Sequence, residues 1–463
     1  MPAPAQALSR PKTEAEIIAD FTLGLDLDAI PAAVVSLAQE HFLDVVGIAL
    51  ASSTFDFGRA VLKAARSMGG SGEAVAIGSG AMLPPASTAL VNGVLAHGLD
   101  FDDTHIGAIY HASAQAMASC LAAGNANRSD GRSVLTAFIA SLEVGCRLAL
   151  VGAGVFHDRG LHPTSMCGTF ASAVAAARLA GADRQAMVWA LGLCGSMAGG
   201  ILEQDNSWLK RLHPGWAAHC GLSAVALGQG GFSGPATVLE GRRGFYSSHL
   251  QRIPEADDLP SRGLGETWQT LGLAIKPYPC CHFIHAFADA ALELRDRFDV
   301  AEIEKIECKL TAPLHKIVAL PRSIRIRPAT PYQALFSVPF VVATALARGR
   351  VDLTAFYDEP LDAPELMELT ERTVCIDDPE SDYPAHFPGE VIVHLRDGRT
   401  ERHRQPASLG TPDLPLSRKV IVNKFMANAT RAIPTKAAER IADIVLNLQT
   451  APSLDELMRL CVA

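Results

Sequence analysis

Long runs of small apolar residues limit what this chain can fold into. Ser133 to Gly152, Ser165 to Gly181 and Asp183 to Met197 read as helices rich in alanine and glycine. So many small side chains favour close helix–helix packing, which predicts a bundle with tight crossings. Earlier in the chain, Val35, Phe42, Val46 and Ala49 share one helical face, and Ala86 to Gly98 is again helical. Ser207 to Leu227 forms a mostly helical frame with Pro214 as an expected interruption. In the 165–181 segment, Pro163 suits a helix start, with Thr164 or Ser165 as the cap. Near the C-terminus, Ile441, Ile444, Val445 and Leu448 form an amphipathic stripe. Ser453 and Glu456 have the spacing of a capping box.

The texture changes near residue 255, where EADDLPSRG is polar and punctuated by proline and glycine. A junction is expected between about 255 and 275. Beyond it, Ile306, Cys308 and Leu310 alternate with charged residues, as in a half-buried strand. Val391, Val393 and Leu395 alternate likewise and run into an Asp397-Gly398 turn. The expected fold is mainly α: a large helical domain from residues 13–272 and 407–463, with an α+β module inserted at 273–406.

The formal net charge of -9 argues against general nucleic-acid binding, which needs basic patches. The ten cysteines have no paired CxxC spacing and fit a reduced cytoplasm better than a disulfide framework. The N-terminus lacks the apolar core of a signal peptide, and no membrane-spanning run is expected.

The chemistry concentrates in LAHGLDFDDTHIGAIYHAS, residues 95–113. Aspartate is a poor helix former and is seldom buried unpaired, so three of them beside histidines in an apolar chain need a reason. On a helix, His97, Asp100 and Thr104 would share one face. His105 and His111 titrate near neutrality and suit acid–base work. His162 precedes a helix start, where an anion is welcome. Lys210 and His213 lie three apart on one helical face, and Lys276 and His282 bracket a rigid KPYPCCH loop. Together these are cations for carboxylates and bases for moving a proton. No cofactor motif and no metal site accompany them, although DFDDTH alone also suits a metal-dependent helical enzyme.

Six blocks carry a family resemblance: LVNGVLAHGLDFDDTH (90–105), GLHPTSMCGTFASAVAAARLAG (160–181), LKRLHPGWAAHCG (209–221), GFSGPATVLEGRRGF (231–245), IKPYPCCHFIHAFADA (275–290) and NKFMANA (423–429). In order and content they resemble the MmgE/PrpD family, which includes 2-methylcitrate dehydratase, cis-aconitate decarboxylase and iminodisuccinate epimerase. The resemblance implies a helical domain built from both chain ends with an α+β lid. It also implies a cytoplasmic homodimer that needs no metal or organic cofactor and acts on a small carboxylate, with no nucleic-acid or membrane partner.

Residue by residue, the resemblance places the catalytic set at Asp100, Thr104, His111, His162 and Lys210. It also matches the lid-loop lysine to Lys276, and the reading of the residues themselves adds His105, His213 and His282 as substrate contacts. The expected activity is a lyase, dehydrating or decarboxylating, with an epimerase of the iminodisuccinate type as the alternative. The sequence departs from the family at three places. His111 is followed by Ala112-Ser113-Ala114 where methylcitrate dehydratases carry an HPSDN-like run. Cys281 stands where the decarboxylases have a lid histidine, and Phe340 where they have a lid tyrosine.

Overall fold

A computed structural model describes residues 10–204 and 207–463. The first nine residues, part of the segment inspected for a leader, lie outside that description, as do Asp205 and Asn206. The chain divides into two compact units. The first comprises residues up to Gly98, His105–Gly272 and Phe425–Ala463; the second comprises Leu99–Thr104 and Leu273–Lys424.

The first unit is helical apart from short extended segments: α1 (Glu14–Gly24), α2 (Ala32–Ser53), α3 (Asp56–Gly69), α4 (Pro85–His97), α5 (Ser113–Ala126), α6 (Gly131–Val151), α7 (Pro163–Leu179), α8 (Arg184–Met197) and α9 (Leu209–Gln229). Thr13 opens α1 with a full capping box to Glu16, and Asp130 and Asp183 cap α6 and α8 through their side chains. Each satisfies backbone N–H groups that a helix start leaves orphaned.

Pro214 does not interrupt α9, which runs through it. The proline lies in the second turn, and packing of the helix on both sides outweighs one missing N–H. Neither Thr164 nor Ser165 caps α7: His162 occupies the cap position, and the Thr164 hydroxyl instead accepts from the backbone of His111 at 3.2 Å. Near the C-terminus, Ser453 accepts from Asp455 N, while Glu456 turns to Arg440, so the expected capping box does not form.

Close approach is what the small residues achieve. A Cβ on Gly93 of α4 would lie 2.7 Å from the Gly215 Cα of α9, and one on Gly215 would lie 2.4 Å from the Leu90 carbonyl oxygen. Gly221 of α9 meets α7 in the same way, at Ser172 and Ala173. Backbone-to-backbone contact of this kind excludes even a methyl group.

By length and composition α2 and α6 are apolar enough to cross a membrane, contrary to the sequence expectation. In this fold they are core helices, with 72% and 94% of their apolar windows buried inside the protein. The burial extends to charge. Glu143 of α6 accepts from the backbone of Gln269 and Thr270 and from the Thr270 hydroxyl. Arg147, one turn on, donates to the carbonyls of Arg262, Gly263 and Thr267. The two side chains thereby fasten the segment 262–270, a run of turns leading into a short 3-10 helix at Gln269–Gly272.

The second unit holds α10 (His285–Leu294), β1 (Ile303–Leu310), α11 (Val338–Arg348), α12 (Pro364–Arg372), β2 (Thr373–Asp377), β3 (Gly389–Leu395) and β4 (Thr400–Gln405). The strands form a mixed sheet in the order β2-β1-β3-β4. β1 pairs parallel to β2, with Cys308 opposite Cys375, and antiparallel to β3, with Ile306 opposite Val393. Ile306, Cys308, Leu310, Val391, Val393 and Leu395 are buried in one hydrophobic core with Phe340 and Phe356. The alternation read from the sequence is thus the inward face of the sheet.

Gly93→Ala is expected to destabilise the protein by about 1–3 kcal/mol, the usual cost of overpacking a core. Gly199→Ala, where an added Cβ meets nothing within 4 Å, is the control and should change stability by less than about 0.5 kcal/mol. Urea unfolding of both variants checks the difference.

Candidate functional site

In the first unit the helix ends gather imidazoles. His97 is the last residue of α4, His111 lies just before α5, His162 precedes α7, and His213 lies early in α9. All four are buried. Ring centroids are 4.8 Å apart for His97 and His111, 6.1 Å for His111 and His162, and 4.9 Å for His162 and His213. The α4–α9 glycine contact brings the chains carrying His97 and His213 into the same region.

His162 Nδ1 and His213 Nδ1 are 2.8 Å apart. One must donate and the other accept, so at least one ring is neutral. Burial lowers the His162 pKa well below its usual range, and the neighbouring His213, His111, Lys210 and His97 reinforce the shift. Burial, with His97 and Lys210, takes His213 down to about 4. His213 Nε2 is buried with no hydrogen-bond partner among the described residues. The Lys210 charge reaches His157, His162 and His213. A cluster of neutral bases beside one ammonium can accept a proton and hold an anion.

His105 is directed elsewhere: its Nε2 is 3.2 Å from Gln269 Oε1, on the segment fastened by Glu143 and Arg147. His97 was missed as a site residue in the sequence reading. Its signal was a histidine closing an otherwise apolar helix, which resembles a C-terminal dipole partner until the fold places it among other imidazoles.

In the second unit, Leu99–Thr104 forms no helix. Asp100 has φ +53°, a left-handed conformation that aspartate tolerates better than most residues. The single helical face expected for His97, Asp100 and Thr104 is therefore not formed. Lys276 Nζ donates at 3.1 Å to both Asp100 Oδ1 and the Asp100 carbonyl. Lys424 donates to the Phe101 carbonyl at 2.8 Å and lies 3.8 Å above the Phe101 ring centroid. Two lysines thus hold the DFDDT turn, in which Asp102, Asp103 and Thr104 are also buried.

His282 is buried beside His285, with ring centroids 4.8 Å apart. Burial lowers its pKa well below the usual range, aided by His285 and Lys276. Cys281 is buried and forms no disulfide among the described residues, and Phe340 packs against Phe356.

Two measurements check these electrostatics. First, His162 and His213 have depressed folded pKa values, so the unfolded chain binds more protons as pH falls below about 6.5. Stability is full above that value and is lost on acidification toward pH 4. Unfolding free energies from pH 7.5 to 4.5 should show that slope, shallower in His162→Gln. Second, Asp100→Ala leaves a buried ammonium without its carboxylate and should destabilise the protein by about 3–5 kcal/mol, measured by urea unfolding.

The chain is 27% identical to the cis-aconitate decarboxylase-like protein oryM of Aspergillus oryzae, over 93% of each chain. It is 25% identical to cis-aconitate decarboxylase of Aspergillus terreus, over 96% of this chain and 94% of the relative. With the cis-aconitate decarboxylase of Homo sapiens it shares 30% identity over 79% of this chain and 77% of the relative. The MmgE/PrpD N-terminal domain matches residues 16–254 and the MmgE/PrpD C-terminal domain matches residues 278–450, so this chain belongs to the MmgE/PrpD family.

Proposed function

We propose that the protein is a cofactor-independent lyase acting on a small di- or tricarboxylate. It removes a proton next to a carboxylate and then releases water, or it releases carbon dioxide directly. The observation that carries this reading is the buried set His97, His111, His162 and His213 beside Lys210, in which burial and neighbouring positive charge lower the pKa of His162 and His213. Relatives named cis-aconitate decarboxylase support a carboxylate as the substrate class.

His111 and His162 handle the proton, and Lys210 and Lys276 pair with substrate carboxylates. A neutral imidazole takes the proton from carbon. The electron pair of that C–H bond passes into the adjacent carboxylate as an enediolate, whose extra charge the ammonium stabilises. The pair then returns to expel hydroxide from the neighbouring carbon, which leaves as water with a proton from an imidazolium. In the decarboxylating variant no C–H proton is removed first: the C–C bond to a carboxylate breaks, carbon dioxide departs, and the pair left on carbon takes a proton from an imidazolium that has itself been protonated from water. Asp100 and Thr104 orient these groups, and His213 and His282 contact the substrate.

Cys281, Phe340 and the Ala112-Ser113-Ala114 run favour a substrate other than cis-aconitate or 2-methylcitrate. An epimerase shares the first step and differs in returning the proton to the opposite face of the carbon. All ten cysteines are free thiols, which supports a reducing, cytoplasmic setting. The family resemblance supports a homodimer, which light scattering on the purified protein tests.

The central experiment incubates the protein in deuterated water with a panel of di- and tricarboxylates, including methylcitrate, cis-aconitate, citrate and iminodisuccinate, and follows C–H exchange and product by NMR. His111→Ala and Lys210→Ala should each slow exchange by about 100-fold or more. Exchange at the wild-type rate would remove that residue from the mechanism. Activity should persist in excess chelator; its loss there would favour the metal-dependent alternative.

A further inference from the structure

Lys276 lies on a loop whose geometry is fixed from both sides. On the N-terminal side, the Ile275 amide donates to the Gly410 carbonyl at 3.0 Å. Gly410 has φ +87°, and a Cβ there would lie 1.9 Å from the Ile275 carbonyl oxygen. On the C-terminal side, the Tyr278 hydroxyl donates to Asp289 Oδ1 at 2.7 Å. The other oxygen, Asp289 Oδ2, accepts from the Leu409 amide at 3.1 Å. Asp289 is a buried residue of α10. One carboxylate therefore joins the residue two after Lys276 to the residue just before Gly410.

We infer that Asp289 is a positioning residue for Lys276: its two oxygens clamp the KPYP loop to the 409–410 turn and so set where the Lys276 ammonium sits. The geometry requires a group with two acceptors. Asparagine can keep the Leu409 tie through its oxygen, but its NH2 meets Tyr278 only if the tyrosine oxygen turns to accept, which takes from the Tyr278 hydroxyl proton the acceptor it has in Asp289. Asp289 itself is buried and both ties are partly so, where a lost partner is expensive. Lys276 makes its two hydrogen bonds to Asp100 at 3.1 Å each, so a displaced loop displaces the ammonium from both. Its importance for turnover rests on the carboxylate-lyase reading above, whereas the clamp itself does not.

The test has two readouts. With lysine labelled by 13C at Cε, the Lys276 signal is assigned by its loss in Lys276→Arg and followed in Asp289→Asn, Asp289→Glu and Tyr278→Phe. It should move in Asp289→Asn and shift less in the other two. Glutamate keeps both acceptors, and phenylalanine removes a single tie. In parallel, kcat/KM on the best carboxylate of the panel should fall about 10- to 100-fold in Asp289→Asn, as expected when a substrate-pairing group is misplaced by about 1 Å. Asp289→Glu should recover part of that loss. In a Lys276→Gln background the Asp289→Asn change should have little further effect, because residues acting through one another are not additive.

An unmoved Lys276 signal in folded Asp289→Asn overturns the clamp whatever the activity. A moved signal with unchanged kcat/KM, in an active wild type, overturns its role in turnover. A moved signal in a protein with no activity on any carboxylate leaves the clamp standing and removes the lyase reading instead. Should Asp289→Asn not fold, Tyr278→Phe carries the same comparison, and an unmoved signal there overturns the clamp.

Discussion

The contact between α4 and α9 at Gly93 and Gly215 is the constraint on which the helical unit depends. Two helix backbones meet there at a distance that leaves no room for a methyl group. The last residue of α4 is His97, and Lys210 and His213 lie in the first turns of α9. Bringing the backbones together carries these side chains with them. Gly221 repeats the arrangement toward α7, whose preceding residue is His162. The small residues thus serve packing and chemistry at once: a larger side chain at either glycine would separate the helices and spread the imidazoles.

Enclosure then sets the charge state. A solvated histidine is partly charged near neutrality, whereas His162 and His213 are pushed toward the neutral form by burial, by neighbouring imidazoles and by Lys210. Neutral imidazoles are ready to accept protons, but their enclosure makes the protein sensitive to acid. The same fold therefore ties basicity to a pH limit on stability.

The second unit handles charge differently. Lys276 is matched with Asp100 at 3.1 Å, and the turn carrying Asp100 is held again by Lys424. Asp289, buried and pushed up to about 6 by desolvation, works against that penalty by accepting two hydrogen bonds. In this unit, paired groups fix loops that secondary structure does not. That accounts for the left-handed Asp100, a conformation sustained because surrounding bonds over-determine it.

Much of this was readable in the residues. Periodicity marked the helices, because burying one face of a helix demands a 3.6-residue repeat, and alternation marked β1 and β3, because a sheet has two faces. The 90–105 and 160–181 blocks helped carry the family and hold four candidate site residues, Asp100, Thr104, His105 and His162, since chemistry that needs particular side chains leaves them in recognisable order. Local signals misled where tertiary contacts outweighed them. Packing carried α9 through Pro214, and the protein interior absorbed α2 and α6 despite their membrane-like composition. Only the folded chain decided that His97 joins His111 and His162, that His105 turns to Gln269, and that Lys276 meets Asp100 across 176 positions of sequence. Composition and spacing act along the chain and specify elements, whereas distances between residues far apart in sequence are set only when those elements pack.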